Sequence, residues 1–163
     1  MEMVVVVAIL GGLSMAVSRI FFANLQGTER AQTMLELRQA GDSTMLNITK
    51  RLRNARRLVS TCDGTDSTTI SFASRDPNVV VSSGSTQPTT ISCASHAAIN
   101  YITLDVNGQS SHITSSNTTV VGCNFLCRDV PGSPPRIDIS YTLQDISSGE
   151  TVDFSSTVTL RNY

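Results

Sequence analysis

One carboxylate of this chain stands where a charge is costly. Glu2 directly precedes an uncharged, apolar run over residues 3–18. A carboxylate left unpaired in hydrocarbon is unfavourable, so the side chain either reaches water at the membrane surface or meets a specific cationic partner. The residues alone leave both outcomes open, and the second would make Glu2 a docking group.

Cysteine is the next residue type that suggests chemistry. The four cysteines are Cys62, Cys93, Cys123 and Cys127. An even number, all beyond the apolar run, favours two disulfides in an oxidising compartment, and the three permitted pairings stay open. Zinc is the alternative, but the sequence has no C-x-x-C pair and its histidines are not placed as in a zinc finger. We therefore expect neither a metal nor a cofactor.

The two histidines, His96 and His112, are the side chains that would suit acid–base catalysis. Each stands singly, and no Gly-rich loop precedes a helix. We interpret both as ordinary surface or edge-strand histidines, and we expect the protein not to be an enzyme. A membrane-anchored hydrolase that depends on one of them is the rival hypothesis.

The apolar run begins the first of two kinds of element that position these groups. Residues 3–18 continue past Arg19 into Ile-Phe-Phe, which brings the segment to the roughly 20 residues that cross a bilayer. A cleaved signal peptide is the alternative, but no basic segment precedes the run and no convincing cleavage motif follows it. We predict an apolar helix over residues 1–27 that serves as a membrane segment.

The helix is predicted to continue as an amphipathic segment. Residues 20–59 contain no proline and are rich in helix-forming side chains. Apolar residues recur there at steps of three or four, at Met45, Ile48, Leu52, Ala55 and Val59. This stripe predicts an amphipathic helix over residues 28–60 that lies on a hydrophobic core.

Glycines interrupt the helical pattern at Gly11, Gly12, Gly27 and Gly41. Each is about 1 kcal/mol less favourable than alanine in a helix interior. We therefore expect bends or local melting of the helix at these positions.

The second kind of element is the β-strand. After Thr61 the chain becomes rich in Ser, Thr, Val and Ile, in short runs between turn residues. We predict strands over residues 69–73, 78–82, 89–93, 99–106, 118–125, 136–143 and 152–160. Asn107-Gly108 is the best hairpin signal. The predicted fold is α+β and lollipop-shaped, with a long helix packed on a small antiparallel sheet that forms a head domain over residues 61–163.

The charged residues are divided unequally between the predicted helix and the predicted head domain. Residues 1–60 carry eight Lys or Arg against four acids, or +4, and residues 61–163 carry four against nine, or −5, which sum to the net −1. The basic residues cluster near the end of the helix, at Lys50, Arg51, Arg53, Arg56 and Arg57. They form either a solvated helix face or a contact with the acidic head of a neighbouring copy. Nucleic-acid binding is unsupported because no aromatic residue lies near the cluster.

The N-terminal segment resembles a known family. Glu2-Met-Val-Val-Val-Val-Ala-Ile-Leu-Gly-Gly-Leu is similar to the start of type IV pilins and pseudopilins, in which an acidic residue precedes an apolar helix. Leu52-Arg53-Asn54-Ala55 and residues 154–162 look like segments of minor pilin or pseudopilin subunits. The resemblance implies a structural subunit of a type IV pilus, or of a secretion or DNA-uptake pseudopilus, that polymerises through its N-terminal helix.

The resemblance also implies roles, partners and a location. Glu2 would pair with the N-terminal amine of an adjacent subunit, and Gly11-Gly12 would let the helix unwind as it leaves the membrane. The partners would be other subunits, membrane lipid before assembly, a prepilin peptidase and an inner-membrane assembly platform. We expect a leader and the first mature residues to lie upstream of Met1, and a head outside the cytoplasm on a single inner-membrane span, later in a cell-surface or periplasmic filament. A membrane-anchored extracytoplasmic domain that binds a surface, a sugar or DNA is the alternative.

Overall fold

A computed structural model describes residues 2–73, 88–96, 99–129 and 131–160, with the side chains at positions 2, 4, 8 and 26 left aside. Within these residues the chain forms one helix and nine strands. They are α1 (Glu2–Arg53), β1 (Arg57–Leu58), β2 (Asp63–Ser67), β3 (Thr69–Ala73), β4 (Thr89–His96), β5 (Ile99–Val106), β6 (Gln109–His112), β7 (Thr118–Arg128), β8 (Arg136–Asp145) and β9 (Thr151–Thr159).

The strands form two antiparallel sheets. The first has the order β1-β3-β4-β5-β6, and the second has the order β2-β7-β8-β9. The predicted α+β class is confirmed, but the head contains two sheets where the sequence suggested one. Most strands that pair in a sheet are also close in sequence, because short turns connect antiparallel strands directly. One such turn is Asn107-Gly108, whose φ angles are 57° and 79°.

The chain divides into two units, Met1–Glu36 and Leu37–Tyr163. The second unit holds the hydrophobic core. Its largest fully buried side chains come from the end of α1 and from both sheets, namely Phe72, Phe125, Leu37, Ile48, Leu52, Ile70, Ile91, Ile102, Ile137, Ile139, Leu143 and Leu160. Alternation along β8 places Ile137, Ile139, Tyr141 and Leu143 on the buried face, as the sequence predicted.

The predicted helical stripe is correct up to its last turn. Ile48 and Leu52 are fully buried and Met45 is half-buried. The helix ends at Arg53, however, before the predicted limit at residue 60, and Val59 is 50% exposed. Backbone N–H groups beyond the helix donate instead to strand β3, so pairing with a sheet replaces the next helical turn.

Gly41 packs closely against the second sheet. A Cβ atom at this buried position would overlap the ring of Phe154, which itself stacks on Tyr141 with ring centroids 5.3 Å apart. The Tyr141 hydroxyl donates a hydrogen bond to the Gly41 carbonyl oxygen at 2.6 Å. Gly41 therefore permits a close approach between α1 and β8–β9. Helix α1 continues through Gly11, Gly12 and Gly27. Local melting of the helix at these three glycines stays a prediction.

Three strands were not predicted. Strands β1, β2 and β6 are short, and the five residues of β2 and four of β6 are all exposed. Their sequences, Asp-Gly-Thr-Asp-Ser in β2 and Gln-Ser-Ser-His in β6, lack the apolar alternation that marks a half-buried strand. The strand predicted over residues 78–82 lies outside the described residues.

Candidate functional site

The N-terminal part of α1 presents an apolar surface to its surroundings. Its large hydrophobic side chains are 46–83% exposed. We call this set the apolar helix surface; it comprises Met3, Val5, Val6, Val7, Ile9, Leu10, Leu13, Met15, Val17, Ile20, Phe21, Phe22 and Leu25. Exposed apolar area of this extent marks a site of contact with a membrane or with other proteins.

Length and composition allow this part of α1 to cross a membrane. Among the described residues, one helix is long and apolar enough to do so, and its most apolar stretch has no residue buried inside the protein. The core helix of a soluble domain would bury most of an apolar stretch of this kind. Glu2 begins this helix, and its predicted docking role stays a prediction.

The basic cluster lies at the C-terminal end of the same helix. Lys50, Arg51 and Arg53 occupy the last turn, where positive charge is favoured by the helix dipole. Arg51 is half-buried and donates a hydrogen bond to Asn47 Oδ1 at 2.7 Å, whereas the other members of the predicted cluster are exposed. Within the described part of the chain, none of the five forms an ion pair. Their role in contacts between subunits stays a prediction.

The four cysteines form two disulfides, as the sequence predicted. Cys62 is bonded to Cys127 with Cα atoms 4.8 Å apart, and Cys93 is bonded to Cys123 with Cα atoms 6.3 Å apart. Cys93 lies on β4 and Cys123 on β7, so the second bridge joins the two sheets. The sequence left three pairings open because the arrangement of strands, rather than the spacing of cysteines, decides which Cα atoms come close.

The two histidines, far apart in the sequence, lie on one face of the first sheet. His96 ends β4 and His112 ends β6, with β5 between them. The ring centroids of the two histidines are 6.3 Å apart, and His112 packs on Tyr101 of β5 at 4.4 Å. Both histidines are exposed. Within the described residues, neither histidine hydrogen-bonds a side-chain hydroxyl or carboxylate, so the geometry gives the hydrolase hypothesis no support.

The sequence analysis interpreted these histidines as unrelated single residues. The Asn107-Gly108 hairpin could have indicated that His112 lies near Tyr101, because its register places His112 opposite Thr103 and therefore on the same face as Tyr101. The position of His96 depends on a second register, in which it pairs with Ile99. Both registers had to be known before the two rings could be placed together.

Three carboxylates are held in their ionised form by hydrogen bonds. The pKa of Asp138 is lowered, first by the Thr157 hydroxyl and then by Arg136 and Arg128. The pKa of Asp145 is lowered by Ser147 and Ser148 in the β8–β9 turn, and that of Asp63 by Thr65. Each contact lies within one strand, within a turn or between neighbouring strands, so these acids stabilise local structure and form no catalytic pair with each other.

Comparison with known proteins gives no match, since no protein-family model, no curated protein and no solved structure matches this chain.

Proposed function

We propose that this protein is a structural subunit, of the minor kind, in a helical filament built as type IV pili and secretion or DNA-uptake pseudopili are built. The observation that carries the proposal is the apolar helix surface. Its side chains are 46–83% exposed within their own chain, so they need an apolar environment supplied from outside.

Hydrophobic burial keeps this surface out of water, whether in a bilayer or in a filament. Burying a large apolar side chain contributes about 1.5–3 kcal/mol, and the apolar helix surface has thirteen such side chains. Transfer of the whole surface from water to an apolar environment is therefore favourable by on the order of 20 kcal/mol. A bilayer satisfies the surface before assembly, and the helices of neighbouring subunits satisfy it in the filament.

The charges give the assembly its specificity. Glu2 pairs with the N-terminal amine of an adjacent subunit, which neutralises two charges that the apolar filament core would otherwise disfavour. The basic cluster contacts the acidic head of a neighbouring copy, in keeping with the division into +4 and −5. A prepilin peptidase and an inner-membrane assembly platform process and deliver the subunit.

The disulfides support the proposed location of the head. Two bridges, both beyond α1, suit an oxidising compartment. The head therefore lies outside the cytoplasm, and α1 is the single span of the inner membrane until the subunit enters a cell-surface or periplasmic filament.

The test replaces Glu2 by glutamine in cells that assemble the filament. Sheared filaments and membranes are then probed separately for the subunit. We expect Glu2→Gln to reach the membrane at the normal level but to be depleted from filaments at least tenfold. The matched control, Glu36→Gln, removes an exposed carboxylate from the same helix and should be incorporated normally.

Two outcomes would contradict the proposal. Normal incorporation of Glu2→Gln would refute the docking role. Absence of the unaltered protein from every filament fraction, with the head still exposed at the membrane, would favour the alternative of a membrane-anchored binding domain. That alternative also predicts that an anchor of unrelated apolar sequence restores function, whereas a filament subunit needs its own helix.

A further inference from the structure

The only two histidines of the chain lie on the same face of the first sheet. His96 and His112 belong to β4 and β6, the two strands that flank β5. Their ring centroids are 6.3 Å apart, and both side chains are exposed. Tyr101, on the intervening strand, packs against His112 with ring centroids 4.4 Å apart.

Two imidazoles brought close together on one face of a sheet are suitable ligands for a transition metal. Imidazole is a preferred ligand of Zn²⁺, Cu²⁺ and Ni²⁺, and Cu²⁺ binds most tightly in the general order of divalent metals. We propose that His96 and His112 form a two-histidine surface site for a divalent transition-metal ion, with Cu²⁺ the tightest ligand of this class.

The observed separation suits such a site after a small adjustment. With a metal–nitrogen bond of about 2.0–2.1 Å, each ring centroid lies roughly 3.2 Å from the ion. Two rings at a right angle or a tetrahedral angle around the ion then have centroids roughly 4.5–5.2 Å apart. The rings must therefore approach each other by about 1–2 Å. Rotation of two exposed side chains provides this movement without a change in the sheet.

The site leaves most coordination positions to other ligands. Among the described residues, no group of three or more His, Cys, Asp and Glu side chains is placed to hold a metal. Water molecules, or a ligand from another molecule, complete the coordination, so the site is open at the surface of the head. Such an ion links the ends of β4 and β6 across β5. It thereby stabilises the pairing of β6, an exposed edge strand of four residues, with the rest of the sheet.

The binding test uses the full chain in detergent micelles, with its disulfides intact, and a titration with Cu²⁺ followed by calorimetry. We expect one ion per chain. His96→Gln and His112→Gln should each weaken the apparent affinity at least tenfold, because each removes one of two bonds, and the double variant should lose the binding. Asp129→Asn is the matched control, since it removes an exposed carboxylate elsewhere on the head and should leave the titration unchanged.

A second measurement uses Zn²⁺, which has no redox chemistry, and follows the thermal midpoint of the head. Saturating Zn²⁺ should raise the midpoint of the unaltered protein and leave that of the double variant unchanged, because a ligand that binds only the folded state stabilises it. Without metal the two proteins should unfold alike, since both side chains are exposed.

The proposal is overturned if the unaltered protein binds no Cu²⁺ at millimolar concentration, if either single variant binds within twofold of it, or if Zn²⁺ raises both midpoints equally. This inference does not rest on the filament proposal. Glu2→Gln should bind the metal normally, and the double histidine variant should still enter filaments.

Discussion

The two parts of α1 have the same backbone but opposite relations to their surroundings. Leu35 is 65% exposed, whereas Leu37, two residues later, is 1% exposed. The boundary between the two units falls between these leucines, after Glu36. Up to Leu25, apolar side chains surround the helix on all sides and are exposed; after the boundary, a stripe of apolar side chains is buried under the sheets.

This difference shows that helix formation and helix burial are separate properties of the sequence. Both parts satisfy the local requirements for a helix, so local preference cannot distinguish them. The distribution of apolar residues around the helix does distinguish them, because only a stripe matches a core on one side. The first part is therefore left exposed, whereas the second is covered by its own chain.

The comparison can be tested most strongly with two leucines of the same helix. Leu52 is fully buried, and Leu46, less than two turns away, is 70% exposed. We expect Leu52→Ala to lower the free energy of unfolding of the head by about 2–5 kcal/mol, because it removes buried area and leaves a cavity. Leu46→Ala should change it by less than about 0.5 kcal/mol. Urea unfolding in detergent, followed by tyrosine fluorescence, measures both, and equal losses would show that the stripe does not contact the core.

Gly41 and Gly27 give a second matched pair. A methyl group at Gly41 would overlap the Phe154 ring, whereas at Gly27 it would meet nothing within 4 Å. We expect Gly41→Ala to destabilise the head by about 1–3 kcal/mol through overpacking. Gly27→Ala should leave the head unchanged and favour the helix by up to about 1 kcal/mol. The same unfolding measurement applies, with helix content from circular dichroism for Gly27→Ala. A Gly41→Ala protein as stable as the parent would contradict the close packing.

Removing the Tyr141 hydroxyl should have the smallest effect. Tyr141→Phe keeps the ring but loses the 2.6 Å hydrogen bond to Gly41, which costs about 1 kcal/mol. Burial and the nearby Asp42 charge raise the pKa of Tyr141. The unfolded chain therefore loses this proton first, and the stability of the head falls as the pH rises above about 10.

The tyrosine prediction is checked by unfolding at neutral and alkaline pH. Tyr141→Phe should be less stable than the parent at pH 7, and the difference should narrow above about pH 10, because the variant lacks the group that ionises on unfolding. A constant difference across this range would show that Tyr141 does not contribute to the alkaline transition.

The sequence predicted those features that depend on the local arrangement of side chains. The apolar and amphipathic parts of α1 follow from the spacing of apolar residues, and β8 follows from strict alternation. It missed β2 and β6, whose exposed polar residues show no alternation, and it extended the helix beyond Arg53 because Ala55 and Val59 continued the helical spacing. The proximity of His96 and His112 depends on two strand registers, and the disulfide pairing depends on contacts between distant strands.

The Cys62–Cys127 disulfide also determines how the head responds to a pulling force. A force applied between α1 and β9 passes through this bridge, so the residues that it encloses, over a sequence separation of 65, bear no tension. A fully extended chain spans about 3.3–3.6 Å per residue, so the bridge withholds roughly 200 Å of chain from stretching. The Cys93–Cys123 bridge lies inside the protected loop. Strands β3 to β6 of the first sheet lie within this loop and are therefore protected from the load, whereas β1, β8 and β9 lie outside it and can yield.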